Sequence, residues 1–88
     1  MFSLGQLVAT PGALDALQRN NQEPSEFLQR HLSHDWGDLD GEDKKENDYS
    51  VQHGFRILSA YTLEDQTRIW IITEADRSVT TILLPSEY

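Results

Sequence analysis

The chain has 88 residues, a mass of 10.1 kDa and a formal net charge of −8. A chain of this size buries about 64% of its surface on folding, enough for one core and no second domain, so residues 1–88 are expected to form a single unit. Cysteine is absent, which excludes disulfides, thiolate metal centres and a cysteine nucleophile. No apolar run approaches the ~18 residues of a membrane span, and MFSLGQLVAT has no basic leader, so a cytoplasmic location is expected.

The elements follow in chain order. Leu4–Val8 has the composition of a short edge strand. Thr10-Pro11 reads as a helix start, because the hydroxyl accepts an orphan N–H and proline lacks one. Leu14 and Leu17 then share a face, and Asn20-Asn21 stops the helix. A second start falls at Pro24. Phe27, Leu28, His31 and Leu32 form the stripe of an amphipathic helix, so the two helices make a hairpin across Asn20–Glu23.

Residues 35–48, DWGDLDGEDKKEND, hold seven acids and two bases. The flanking parts are close to balanced. Asp40 and Asp43 resemble a capping pair and Gly54 a stop, which predicts an acidic helix or loop over 40–52 with little apolar content. The period then changes to two. Phe55–Thr62, Thr67–Thr73 and Val79–Leu84 read as strands joined by short turns, and Pro85 ends the last. The expected fold is α+β: an N-terminal helical hairpin, an acidic helix or loop, then a three-stranded antiparallel β-meander with helices on one face. Trp70, in the middle strand, is expected in the core.

HDWGDL at 34–39, RILSAY at 56–61, IWIITEADRSVTTILLP at 69–85 and the closing Glu87-Tyr88 resemble a family of small bacterial proteins carried on plasmids and integrated mobile elements. The likeness runs from GQLVATPGAL onward. It implies an accessory role on mobile elements and carries no activity onto particular residues.

Chemistry-bearing patterns are sparse. His31 and His34 lie three apart, with Asp35 and Asp38 near, but the i, i+4 pair and third ligand of a helical zinc site are missing. In WGDLDGED, placing Gly41 at the sixth position of a calcium loop puts Trp36 first and Asn47 twelfth, where carboxylates are needed. No metal and no cofactor is therefore expected. A small ribonuclease would need a base, an arginine for phosphate and a nearby hydroxyl. His31, Arg56 and Tyr88 are the candidates, with His53, Thr80 and Thr81 behind them. Arg56, Arg68 and Arg77 would have to converge to offset the net charge, since RNA binding rests on neutralising phosphates.

The acidic segment carries the main expectation: a non-enzymatic interaction protein with a basic protein partner, in a nucleic-acid-processing or defence complex that it inhibits or modulates. Asp35, Asp38, Asp40, Glu42 and Asp43 would supply charge, with Trp36 and Leu39 as apolar anchors. Direct nucleic-acid or membrane binding is not expected. The structural alternative is a homodimer paired through a free strand at the edge of the meander.

Overall fold

The computed structural model describes residues 2–88. Strand β1 (Gln6–Ala9) is followed by α1 (Pro11–Arg19), α2 (Pro24–Leu32) and α3 (Gly41–His53). Strands β2 (Ile57–Thr62), β3 (Arg68–Thr73) and β4 (Val79–Leu83) come next, and a single 3₁₀ turn spans Pro85–Glu87. Among the described residues no helix is long and apolar enough to cross a membrane.

The helix starts are set locally. The Thr10 hydroxyl accepts the Ala13 N–H and Pro11 takes the first helical position. Asp40 caps α3 by accepting the Asp43 N–H at 2.8 Å, and Gly54 ends it with a left-handed φ of 75°. Residues 41–53 are thus helix, which decides between the helix and the loop that the sequence leaves open. The buried face of α1 differs from expectation. Ala13, Ala16 and Leu17 point inward, while Leu14 is 49% exposed. Small alanines let α1 lie close to the sheet, and the bulkier Leu14 turns outward.

The sheet corrects the three-stranded meander. It has four strands in the order β1-β4-β3-β2. β2, β3 and β4 do form an antiparallel meander, but β1 adds to β4 in parallel, with Gln6 opposite Val79 and Ala9 opposite Ile82. A parallel pair needs a long connection, here the whole of α1 through β3, and no local turn signals it. β2 begins at Ile57 rather than Phe55, because the Phe55 N–H is still bonded to Ser50 at the end of α3.

Cross-strand partners share a face. Ile57, Ser59 and Tyr61 therefore lie with Ile69, Ile71 and Thr73, and with Thr80 and Ile82, on one side. There they meet Ala13, Ala16, Leu17 and Phe27 of α1 and α2 in the main core. A second cluster joins Phe2, Trp36 and Ile57, with Leu4, Leu32, Leu39 and Val51 against it. The other side carries Leu58, Ala60, Trp70, Ile72 and Leu83, lies opposite the face that α1 and α2 cover, and has the 3₁₀ turn against β3.

The outer edge of β2 is sealed. The Asn47 side chain of α3 donates to the Leu58 carbonyl at 2.6 Å and accepts the Leu58 N–H at 3.2 Å. Next along, the Asp38 N–H bonds the Ala60 carbonyl and the Ala60 N–H bonds Trp36. Gly37, at the centre of that bridge, has φ of 77°, and a Cβ there would sit 1.9 Å from the Ala60 oxygen. The four groups of Leu58 and Ala60 that would otherwise recruit another strand are all used.

Asn47→Ala should cost about 1–3 kcal/mol, since it leaves two part-buried backbone groups without partners. Gly37→Ala should cost more, because it combines a positive φ with a backbone collision. Urea midpoints of the two variants check both, and an unchanged midpoint for Asn47→Ala would refute the sealed edge.

Candidate protein-interaction surface

The two tryptophans exchange their expected places. Trp36, the expected surface anchor, is 3% exposed. Its ring stacks on His34 at 5.1 Å, its edge meets His31 at 5.7 Å, and its indole N–H donates to Asp48. It holds the second core cluster and offers nothing to a partner. Leu39 is half-buried against the same cluster. Trp70 is half-buried instead, on the side of the sheet opposite α1 and α2, with the Tyr88 ring edge-on at 5.7 Å. Strand alternation places Ile69 and Ile71 inward and Trp70 outward, and a strand rich on both faces hides this choice.

Several carboxylates of the acidic segment have local tasks. Asp35 accepts from the Arg30 guanidinium at 2.7 Å and from the Gly37 N–H. The hydrogen bond from Arg30 holds the Asp35 carboxyl below its usual range. Asp38 accepts the Thr62 hydroxyl, Asp40 caps α3 and Asp48 holds Trp36. The ion pairs among the described residues are Arg19–Asp15, Arg19–Asp65 and Arg30–Asp35, and none reaches α3. Glu42, Asp43 and Glu46 keep their carboxylates for solvent or a partner.

An aromatic surface that the sequence reading did not single out lies beside them. Tyr49 and Phe55 are 56% and 54% exposed. Tyr49 stacks on His53, one helical turn on, at 4.1 Å, and on Phe55 at 6.0 Å with the rings nearly parallel. The left-handed Gly54 turns the chain back, so Phe55 returns to the flank that carries Tyr49. Glu42, Lys45, Glu46 and Ser50 complete a shallow concavity around the two rings. The signal in the sequence was the glycine stop followed at once by an aromatic. On the opposite flank of α3, a groove runs over Leu58, Ala60 and Trp70 between Asp38, Asp40 and Asp43, with Arg68 at one end.

The candidate catalytic residues are not brought together. The Arg56 guanidinium lies over the Tyr88 ring, 5.9 Å from its centroid. His31 is fully buried on the helix-covered side, bonded to Ser59 and Thr73. The sheet separates it from the other two. His53 belongs to the aromatic stack, Thr80 is fully buried and Thr81 is partly so. Nor do the arginines form one patch. Arg56 precedes β2, whereas Arg68 pairs with Thr62 at its far end, roughly 20 Å away along the strand. Arg77 spends its guanidinium on the carbonyls of Ser50, Phe55, Glu74 and Ala75, tying the end of α3 to the β3–β4 turn.

His31 instead ends a chain of hydroxyls whose direction is fixed. The Leu4 carbonyl can only accept, so Thr80 donates to it at 2.7 Å. Thr80 has no second proton, so Thr73 donates to Thr80 at 2.8 Å. Thr73 must then accept from His31 Nε2 at 2.9 Å, which leaves Nδ1 bare to accept the Ser59 hydroxyl at 2.6 Å. The chain of bonds assigns the neutral Nε2–H tautomer.

The chain matches no family model, no curated protein and no solved structure.

Burial, reinforced by the His34 charge, pushes the His31 pKa down to about 4. In the unfolded chain the same ring titrates near its ordinary value of 6.5. Between these values the unfolded state binds the extra proton, so the contribution of His31 to stability falls as pH drops from 6.5 and levels off below about 4. The loss should total about 3 kcal/mol. Urea unfolding across that range reads the slope. The His31 ring resonance should stay neutral down to about pH 4 by NMR, and titration near 6.5 would refute the assignment.

Proposed function

We propose that this chain is a non-enzymatic binding domain that takes a basic segment of a partner protein on the outer flank of α3. The supporting observation is the pair of exposed, parallel rings of Tyr49 and Phe55 beside the unengaged carboxylates of Glu42 and Glu46. An arginine or lysine laid on such a ring is held by its π-face, while a neighbouring carboxylate accepts its N–H groups. Charge steers the encounter and the buried ring holds it. The aromatic role first assigned to Trp36 thus passes to Tyr49 and Phe55. Of the carboxylates first given the charge role, Glu42 keeps it at this site, and Glu46 joins it.

A partner that normally meets phosphates would present arginines and lysines of this kind. Together with the mobile-element resemblance, this makes a nucleic-acid-processing or defence complex the natural setting, with the chain acting as an inhibitor or modulator that occupies a basic surface.

The test uses tagged protein and nuclease-treated lysate, with capture compared at low salt and at about 0.5 M salt, where exposed charges are screened. A basic partner should be captured at low salt and released at high salt. Tyr49→Ala, and separately Glu42→Gln with Glu46→Gln, should each weaken its binding at least tenfold while leaving the thermal midpoint unchanged. Binding indifferent to both variants would overturn the reading.

A further inference from the structure

The sheet has two edges, and only one is defended. Asn47 and the Trp36–Asp38 bridge seal β2. Among the described residues nothing bonds the outer edge of β1 in this way. The Gln6 N–H bonds Ser78 at 2.9 Å and the Thr10 N–H bonds Ile82 at 3.0 Å. Residues 6, 8 and 10 therefore face β4, and the N–H and C=O groups of Leu7 and Ala9 point the other way. Edge strands are usually blunted by lysine, proline or a bulge. None of these occurs within Gln6–Ala9, and no side chain from Phe2 to Leu14 is ionisable. Leu7 and Val8 are 54% and 43% exposed. In a chain with a net charge of −8, this is the stretch where two copies meet with least repulsion.

We propose that β1 is the pairing edge of a symmetric dimer, in which β1 of one copy runs antiparallel to β1 of a second copy of this chain. The hydrogen-bonding pattern selects the register. With Val8 on the two-fold axis, Leu7 lies opposite Ala9 of the partner subunit, and the pair exchanges both backbone bonds. Symmetry repeats this at Ala9 and Leu7 of the partner subunit, giving four bonds in all. Centring the axis on Leu7 gives only two, because Gly5 has φ of 65° and has left the strand. Centring it on Ala9 also gives two, because it sets Leu7 opposite Pro11, which has no N–H.

In the Val8-centred register the two Val8 side chains form a close, non-hydrogen-bonded pair on the face opposite α1 and α2, beside Thr81. The product is a continuous eight-stranded sheet, β2-β3-β4-β1-β1-β4-β3-β2. α3 lies against β2, at the far edge, so the dimer leaves both acidic flanks free. The inference stands apart from the partner-binding reading of α3.

Sedimentation from micromolar to millimolar concentration tests it. The mass should rise from 10.1 kDa to twice that value. Val8→Lys sets two ammonium groups on the axis at a half-exposed position. It should weaken association at least tenfold while the far-ultraviolet spectrum and melting stay as in the parent. Hydrogen exchange of the unaltered chain gives a second readout, since the Leu7 and Ala9 amides should become protected as concentration rises. A mass of 10.1 kDa throughout would overturn the proposal. So would a dimer that persists in folded Val8→Lys, or Leu7 and Ala9 amides that exchange freely in the dimer.

Discussion

The structure depends on one buried line of hydrogen bonds, from the Leu4 carbonyl through Thr80, Thr73 and His31 to Ser59. Its members come from the N-terminal segment, β4, β3, α2 and β2 in turn. Each hydroxyl has one proton to give, so the order of donors is fixed from the carbonyl end. In a low-dielectric interior a missing partner costs about 1–3 kcal/mol, and no member can be satisfied unless its neighbours are in place. The line therefore demands that α2 sit over the middle of the sheet and that the N-terminal segment reach β4. No buried side-chain polar atom among the described residues lacks a partner.

That arrangement explains the unequal edges and faces of the sheet. Holding Leu4 against Thr80 delivers the next residues to β4, where they become β1 and leave an open edge. Holding α2 over the sheet brings its end, and Trp36 after it, to the opposite edge. There the Trp36–Asp38 bridge and Asn47 close β2. α3 is tied down by polar groups, with Asn47 and Ser50 as its buried residues. Its remaining surface is free to carry charge and exposed rings. A helix with an apolar face would have been drawn into the core and would have hidden them.

The acidic segment divides the same way. Asp35, Asp38, Asp40 and Asp48 stabilise the fold through Arg30, Thr62, the start of α3 and Trp36. Asp35 has its charge paired with Arg30, and the other three keep theirs while lending an oxygen to the fold. Glu42, Asp43 and Glu46 sit where the helix faces solvent, and beside Glu42 and Glu46 lie Tyr49, further along the same helix, and Phe55, just past its Gly54 stop. A charge count along the chain treats these carboxylates alike, whereas their hydrogen bonds separate them.

Features decided within a few residues were legible in the sequence: the Thr10-Pro11 and Asp40 starts, the Gly54 stop, the period-two runs of β2 to β4 and the turns between them. Capping, left-handed glycine and strand alternation act over one or two turns of chain, so residue order alone expresses them. The face on which each tryptophan falls, the place of β1 beside β4 and the burial of His31 were decided by the tertiary structure. Trp36 is drawn inward by Phe2, more than thirty positions away, and Trp70 falls on the face opposite α1 and α2, where it stays half-buried. A strand rich in apolar residues on both sides permits either burial, and a parallel partner can lie anywhere along the chain. The sequence by itself determined most of the elements and several of their ends, because those energies are local. The fold decided which side chains remain for a partner, because that follows from which surfaces the distant parts of the chain cover.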